Sequence, residues 1–102
     1  MISKFKEIYT NITGFDFTKE NLSSRLREKV ELRDFFVMLL LEHNVKRIDI
    51  INAMNKKPPF IVKVRQRHND RYKLYSQYRQ DYDDVRRIFN NQLKQNGYVL
   101  SL

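Results

Sequence analysis

Apolar residues in the first dozen positions fall at Ile2, Phe5, Ile8, Tyr9 and Ile12, with Lys4, Lys6 and Glu7 between them. Steps of three and four place them on one helix face, so the pattern predicts a short amphipathic helix over 2–12. Asn11 and Gly14 mark its end. Phe15-Asp16-Phe17 leads into Thr18, a predicted N-cap with Asn21 three residues on. Residues 21–29, NLSSRLREK, have weak periodicity and read as a polar loop or loose helical turn carrying Arg25 and Arg27. From Val30 to His43 the pattern changes. Phe35 to Leu41 is apolar on every side, which implies burial all round. A buried strand is the rival reading of such a run. Helix is preferred because Glu31, Arg33, Asp34 and Glu42 extend the segment past strand length. Met38, Leu39 and Leu40 also favour helix. Asn44 closes it.

A second apolar segment, Ile48, Ile50, Ile51, Ala53 and Met54, predicts a helix over 46–54. The polar turn Asn55-Lys56-Lys57 follows, then Pro58-Pro59. Proline is tolerated in the first turn of a helix, where its missing N–H would have no partner. A long helix therefore starts here, and short helix, tight turn and long basic helix make the outline of a helix-turn-helix. Beyond it, His68, Arg71, Tyr75, Tyr78, Tyr82, Val85 and Phe89 form a stripe at helical spacing. Either one helix runs from Pro59 to Lys94, or it breaks near Ser76 and restarts with Asp81, Asp83 and Asp84 in its first turn, where carboxylates suit the dipole. Gly97 is a stop, and Tyr98 to Leu102 a tail docked by Val99 and Leu100. The expected fold is all-α: one small helical domain over 1–102 with a helix-turn-helix and four to six helices.

Composition narrows the field. Two glycines and two prolines in 102 residues leave little room for the turns of an all-β fold. With no cysteine, disulfides and thiolate metal sites are excluded. The longest apolar run is too short to span a bilayer, and MISKFKEIY lacks a signal peptide's apolar core. The expectation is a cytoplasmic protein without membrane association. Charge changes the picture most. The chain carries +8, and residues 56–79 hold eight of its bases against one acid, Asp70. A basic strip confined to one element is the footprint of a polyanion binder. The competing reading is a solvated helix face.

Candidate chemistry is sparse. His43 and His68 are not at metal-ligand spacing. His43 fits the C-terminal end of the buried helix, while His68 faces either the core or a phosphate. The acidic knot Asp81, Asp83, Asp84 lacks the loop oxygens a cation site needs. No phosphate-cradling glycine loop is present. No enzyme activity, metal or cofactor is expected. The tyrosines at helical spacing read as a packing seam, or as a homodimer or protein-partner surface.

Taken in order, these features resemble the C-terminal DNA-binding domain of the bacterial replication initiator DnaA, over roughly residues 5 to 93. SRLREKVELRDFFVMLLLE looks like that family's basic loop running into its buried helix, with Arg25, Arg27 and Arg33 at its arginine positions. IDIINAM looks like the first helix of its helix-turn-helix. NKKPPFIV stands where the family has a glycine-rich turn and Asp-His-Thr-Thr-Val, with Pro58, Pro59, Phe60 and Ile61 replacing the first four and Val62 matching the last. The resemblance implies double-stranded DNA recognition. Arg25, with Arg27 beside it, would enter the minor groove, and the long helix would lie in the major groove. The apolar and proline replacements cannot hydrogen-bond base edges through their side chains, though Phe60 can touch a thymine methyl. Lys56, Lys57, Lys63 and Arg67 are the expected phosphate contacts. The alternative is a helical protein-protein interaction module that kept the fold and lost specific DNA recognition.

Overall fold

The structure, a computed structural model, describes residues 2–97. The docking of the tail by Val99 and Leu100 lies outside the described residues. Six α-helices follow one another: α1 (Ile2–Thr13), α2 (Lys19–Ser23), α3 (Arg27–Glu42), α4 (Arg47–Met54), α5 (Pro59–Leu74) and α6 (Ser76–Gln95). No strand occurs among the described residues, so the all-α expectation holds. The apolar run fills the C-terminal half of α3, with Phe36, Val37, Leu39 and Leu40 fully buried. Helix α3 packs against α2, α4, α5 and α6, while α1 closes the core by lying on α6. Most of the run is therefore buried between neighbouring helices, while Met38 and Leu41 are half-buried at its open side, short of the burial all round that the pattern implies.

Local chemistry explains the boundaries. Thr18 caps α2, its Oγ1 accepting from the Asn21 N–H at 3.1 Å, as its position predicts. Helix α3 starts earlier than the periodicity indicates, so Arg27 belongs to its first turn rather than to the loop. The Arg27 Nε donates to Glu31 Oε1 at 3.0 Å, and the Val30 N–H bonds back to the Leu26 carbonyl at 2.9 Å. Such i,i+4 pairs support a helix end whose apolar periodicity is weak. Asn44 and Asn55 both have positive φ, at 59° and 55°. Asparagine tolerates this left-handed conformation better than other non-glycine residues. Each ends its helix with a six-to-one bond: the Val45 N–H to the Leu40 carbonyl at 3.0 Å, and the Lys56 N–H to the Ile51 carbonyl at 3.0 Å.

The long C-terminal segment breaks. Tyr75 is extended, with φ −120° and ψ 111°, and α6 restarts at Ser76. The cause is the aromatic stripe, which folds back on itself instead of covering one face of a single helix. His68 on α5 meets Tyr82 on α6 with ring centroids 4.5 Å apart, and its Nδ1 lies 2.8 Å from the Tyr78 hydroxyl. Tyr72 packs edge-on against Tyr82, and Arg79 Nη1 donates to the Tyr72 carbonyl at 3.0 Å, capping the end of α5. The acids are not in the first turn of α6, contrary to the expectation for a restarted helix. Asp83 accepts from the Tyr72 hydroxyl at 3.0 Å, so it ties the hairpin rather than meeting the helix dipole. The stripe faces inward: Tyr78 and Tyr82 are buried, and only Tyr75 is well exposed.

His68 is resolved as a core residue, 5% exposed. Burial pushes its pKa down, against the opposing influence of Asp34 and Asp83. The unfolded chain therefore binds this proton more tightly than the folded one, so stability is full above an unfolded pKa of about 6.5 and falls as pH drops through the folded value. The slope for one such group is at most about 1.4 kcal/mol per pH unit. His68→Gln should flatten urea-unfolding free energies between pH 7 and pH 5. A parent whose stability is constant over that range would contradict the assignment.

Candidate nucleic-acid interface

Helix α4 buries Ile50, Ile51 and Met54. After the Asn55 turn, α5 opens at Pro59 and buries Ile61, Val64 and His68. That register fixes the opposite face of α5, where Val62, Lys63, Gln66, Asn69, Asp70 and Lys73 are all exposed. The prolines supply rigid backbone at the helix start, and Pro58 already has helical dihedrals, with φ −47° and ψ −41°. Phe60 is half-buried against the core, with the Lys56 ammonium 5.6 Å from its ring centroid. Burial lowers the Lys56 pKa, helped by the like charge of Arg33. Lys57 and Lys63 are exposed, and no ion pair holds either among the described residues.

The arginines divide into two groups. Arg25 is exposed and unpaired among the described residues, and Arg27 is exposed apart from its bond to Glu31. Arg33 differs from its expected role. It is 7% exposed, and its Nη1 donates to the Leu22 carbonyl at 2.7 Å and the Ser24 carbonyl at 3.2 Å. A guanidinium spent on backbone carbonyls inside the fold does not reach a phosphate. Its effect is to pin the end of α2, and with it the loop that carries Arg25. Arg67 is also engaged. Its Nε and Nη2 donate to Asp34 Oδ2 and Oδ1 at 2.6 and 2.7 Å, and the Asp34 carboxylate is fully buried. That fork fastens α5 to α3.

Lys56, Lys57 and Lys63 thus lie in the turn before α5 and its first turns, with the Phe60 ring against Lys56, while Arg25 lies in the loop between α2 and α3. Sequence reasoning counted Lys73 in the basic strip without assigning it a contact, and passed over Gln66 and Asn69. Their spacing of three and four, out of phase with Ile61, Val64 and His68, was the available signal. Gln66 and Asn69 carry the amide groups that can bond an adenine edge in two places, and the lysines can contact phosphates. His43, at the end of α3, lies with Nε2 2.9 Å from Asn90 Oδ1 and packs on Phe5 and Phe89, a structural position. Among the described residues, no helix is long and apolar enough to cross a membrane. Comparisons with family models, with curated proteins and with solved structures give no match for this chain.

Proposed function

We propose that this protein binds double-stranded DNA, laying the exposed face of α5 along the major groove while the loop before α3 offers Arg25 to the adjacent backbone or minor groove. The observation that carries this reading is the solvent-facing row Lys63, Gln66, Asn69 and Lys73, with Lys57 at the helix start; the same face also holds Val62 and one carboxylate, Asp70. The helix has 16 residues, hence a length of about 24 Å at 1.5 Å per residue, and a B-form major groove about 12 Å wide admits it. Lysines supply affinity through phosphates without sequence information, and the two amides are the groups available for reading bases. Pro58 and Pro59 act as a rigid entry to the helix, so the reading residues lie one to three turns further along it.

The test is fluorescence anisotropy on unrelated duplexes at several salt concentrations. The parent should bind all of them at low salt, with affinity falling steeply as salt rises. Gln66→Ala and Asn69→Ala, both at exposed positions, should leave the fold intact and narrow the spread of affinities among duplexes by about 1–3 kcal/mol per lost bidentate contact. No duplex affinity in the parent at low salt would sink the proposal and favour the protein-protein module instead.

A further inference from the structure

Away from α5, a groove of about 400 Å³ opens between α3 and α6, closed at one end by the last turn of α1. Its floor is apolar, formed by Ile12, Leu32, Val85 and Ile88 over the buried Phe35. Its walls carry carboxylates at three-residue spacing, Glu28 and Glu31 on α3 and Asp81 and Asp84 on α6. Residues three apart share a helix face, so each wall presents one acidic row along the apolar floor. No base lines the groove, and α5 contributes nothing to it. In a chain of net charge +8, this is a local reversal of sign.

We infer that this groove docks a cationic amphipathic helix of a partner protein. The shape and the charge select that occupant together. A helix laid between α3 and α6 can bury an apolar stripe on the floor while its flanking Lys or Arg side chains meet an acidic row on either side. The present partners of the carboxylates are weak ones. Glu31 takes Arg27 at 3.0 Å, Asp81 takes the Gln77 amide at 2.8 Å and Asp84 stands 3.6 Å from Arg87. All three are near neighbours on the same helix at the surface, and such contacts exchange for little free energy. A second copy of this chain fits poorly. Its α5 has two exposed large apolar residues, Val62 and Leu74, which lie about 120° apart around the helix rather than in one stripe, and two strongly cationic copies repel at long range. Nucleic acid is disfavoured by the carboxylate rows.

Two short synthetic helical peptides test the assignment, both with leucine at every third or fourth position, one with lysine and the other with glutamate elsewhere. In a nitrogen-15 NMR titration of the full chain, the lysine peptide should shift the amides of Leu32, Val85 and Ile88, and the glutamate peptide should not. The double variant Asp81→Lys/Asp84→Lys should weaken the lysine peptide about tenfold or more. Both substitutions are at exposed positions, and Asp70→Lys on α5 serves as a control of equal charge type that should bind nearly as the parent does. Equal weakening by Asp70→Lys would reduce the effect to net charge and overturn the site. Shifts confined to other surfaces, unchanged affinity in the double variant, or peptide-free self-association that moves the same amides would each overturn it as well.

Discussion

Arg67→Ala should destabilise the protein by about 3 kcal/mol, at the lower end of the 3–5 kcal/mol typical of breaking a buried ion pair. The size of the effect is set by the residue that remains. Asp34 is fully buried, while the Arg67 side chain is 31% exposed. Removing the arginine strands an ionised carboxylate in the core between α3 and α5, with two of its hydrogen bonds gone. Water reaching the vacated arginine position softens the loss, which is why the lower end is expected. For a domain whose total stability is on the order of 5–15 kcal/mol, this is a large fraction. Replacing both partners with apolar groups removes the stranded charge, so Asp34→Leu/Arg67→Met should recover most of the loss. Urea unfolding of the two variants and the parent measures this directly. A single-variant loss within about 0.5 kcal/mol of zero would show the pair to be no stronger than a surface one. The double variant also separates fold from binding: if Arg67 serves only to hold α5 on α3, that variant should bind duplex DNA with the parent's salt dependence.

The contrast between Arg67 and Lys63 shows where sequence reading stops. Four residues apart in a basic strip, they were expected to act alike. Charge counting cannot see that Asp34, 33 positions earlier, is buried beneath one of them. Arg33 was hidden in the same way, because its partners are backbone carbonyls that no side-chain pattern records. The all-helical class, the C-terminal half of α3, the Thr18 cap, and the turn before Pro59 were legible, since each rests on local spacing or a local backbone preference. The break at Tyr75 was half legible. No glycine or proline marks it, and the aromatic stripe looks alike whether it covers one long helix or closes a hairpin. His68 meeting Tyr78 and Tyr82 across that hairpin decides between the two. The exposed amides of Gln66 and Asn69 were signalled only by their spacing against Ile61, Val64 and His68, a weak pattern that the buried register of α5 makes plain.

The second large effect concerns binding. Arg25→Ala/Lys57→Ala/Lys63→Ala should lower affinity for duplex DNA by about three-thousandfold at 50 mM salt. Each phosphate contact contributes a slope of about 0.9 in log affinity against log salt, hence about 1.2 decades at 50 mM relative to a 1 M reference. Three contacts give about 3.5 decades, and the slope itself should fall by about 2.7. These three residues are chosen because the fold makes no other use of them. They are exposed and outside every ion pair among the described residues, so thermal unfolding should be little changed, unlike that of Arg67→Ala. A matched variant, Arg87→Ala/Lys94→Ala on α6, removes positive charge away from the proposed face and should leave the slope nearly intact. If it reduces the slope as much per charge as the triple variant does, binding follows net charge and α5 has no special place in it. If the triple variant keeps the parent's slope, the basic loop and the start of α5 do not face DNA. The Arg25 arm can be read separately, since an arginine in a narrow minor groove favours A·T-rich tracts. Arg25→Ala alone should then weaken such duplexes more than G·C-rich ones, whereas Lys63→Ala should weaken both equally, as a phosphate contact does.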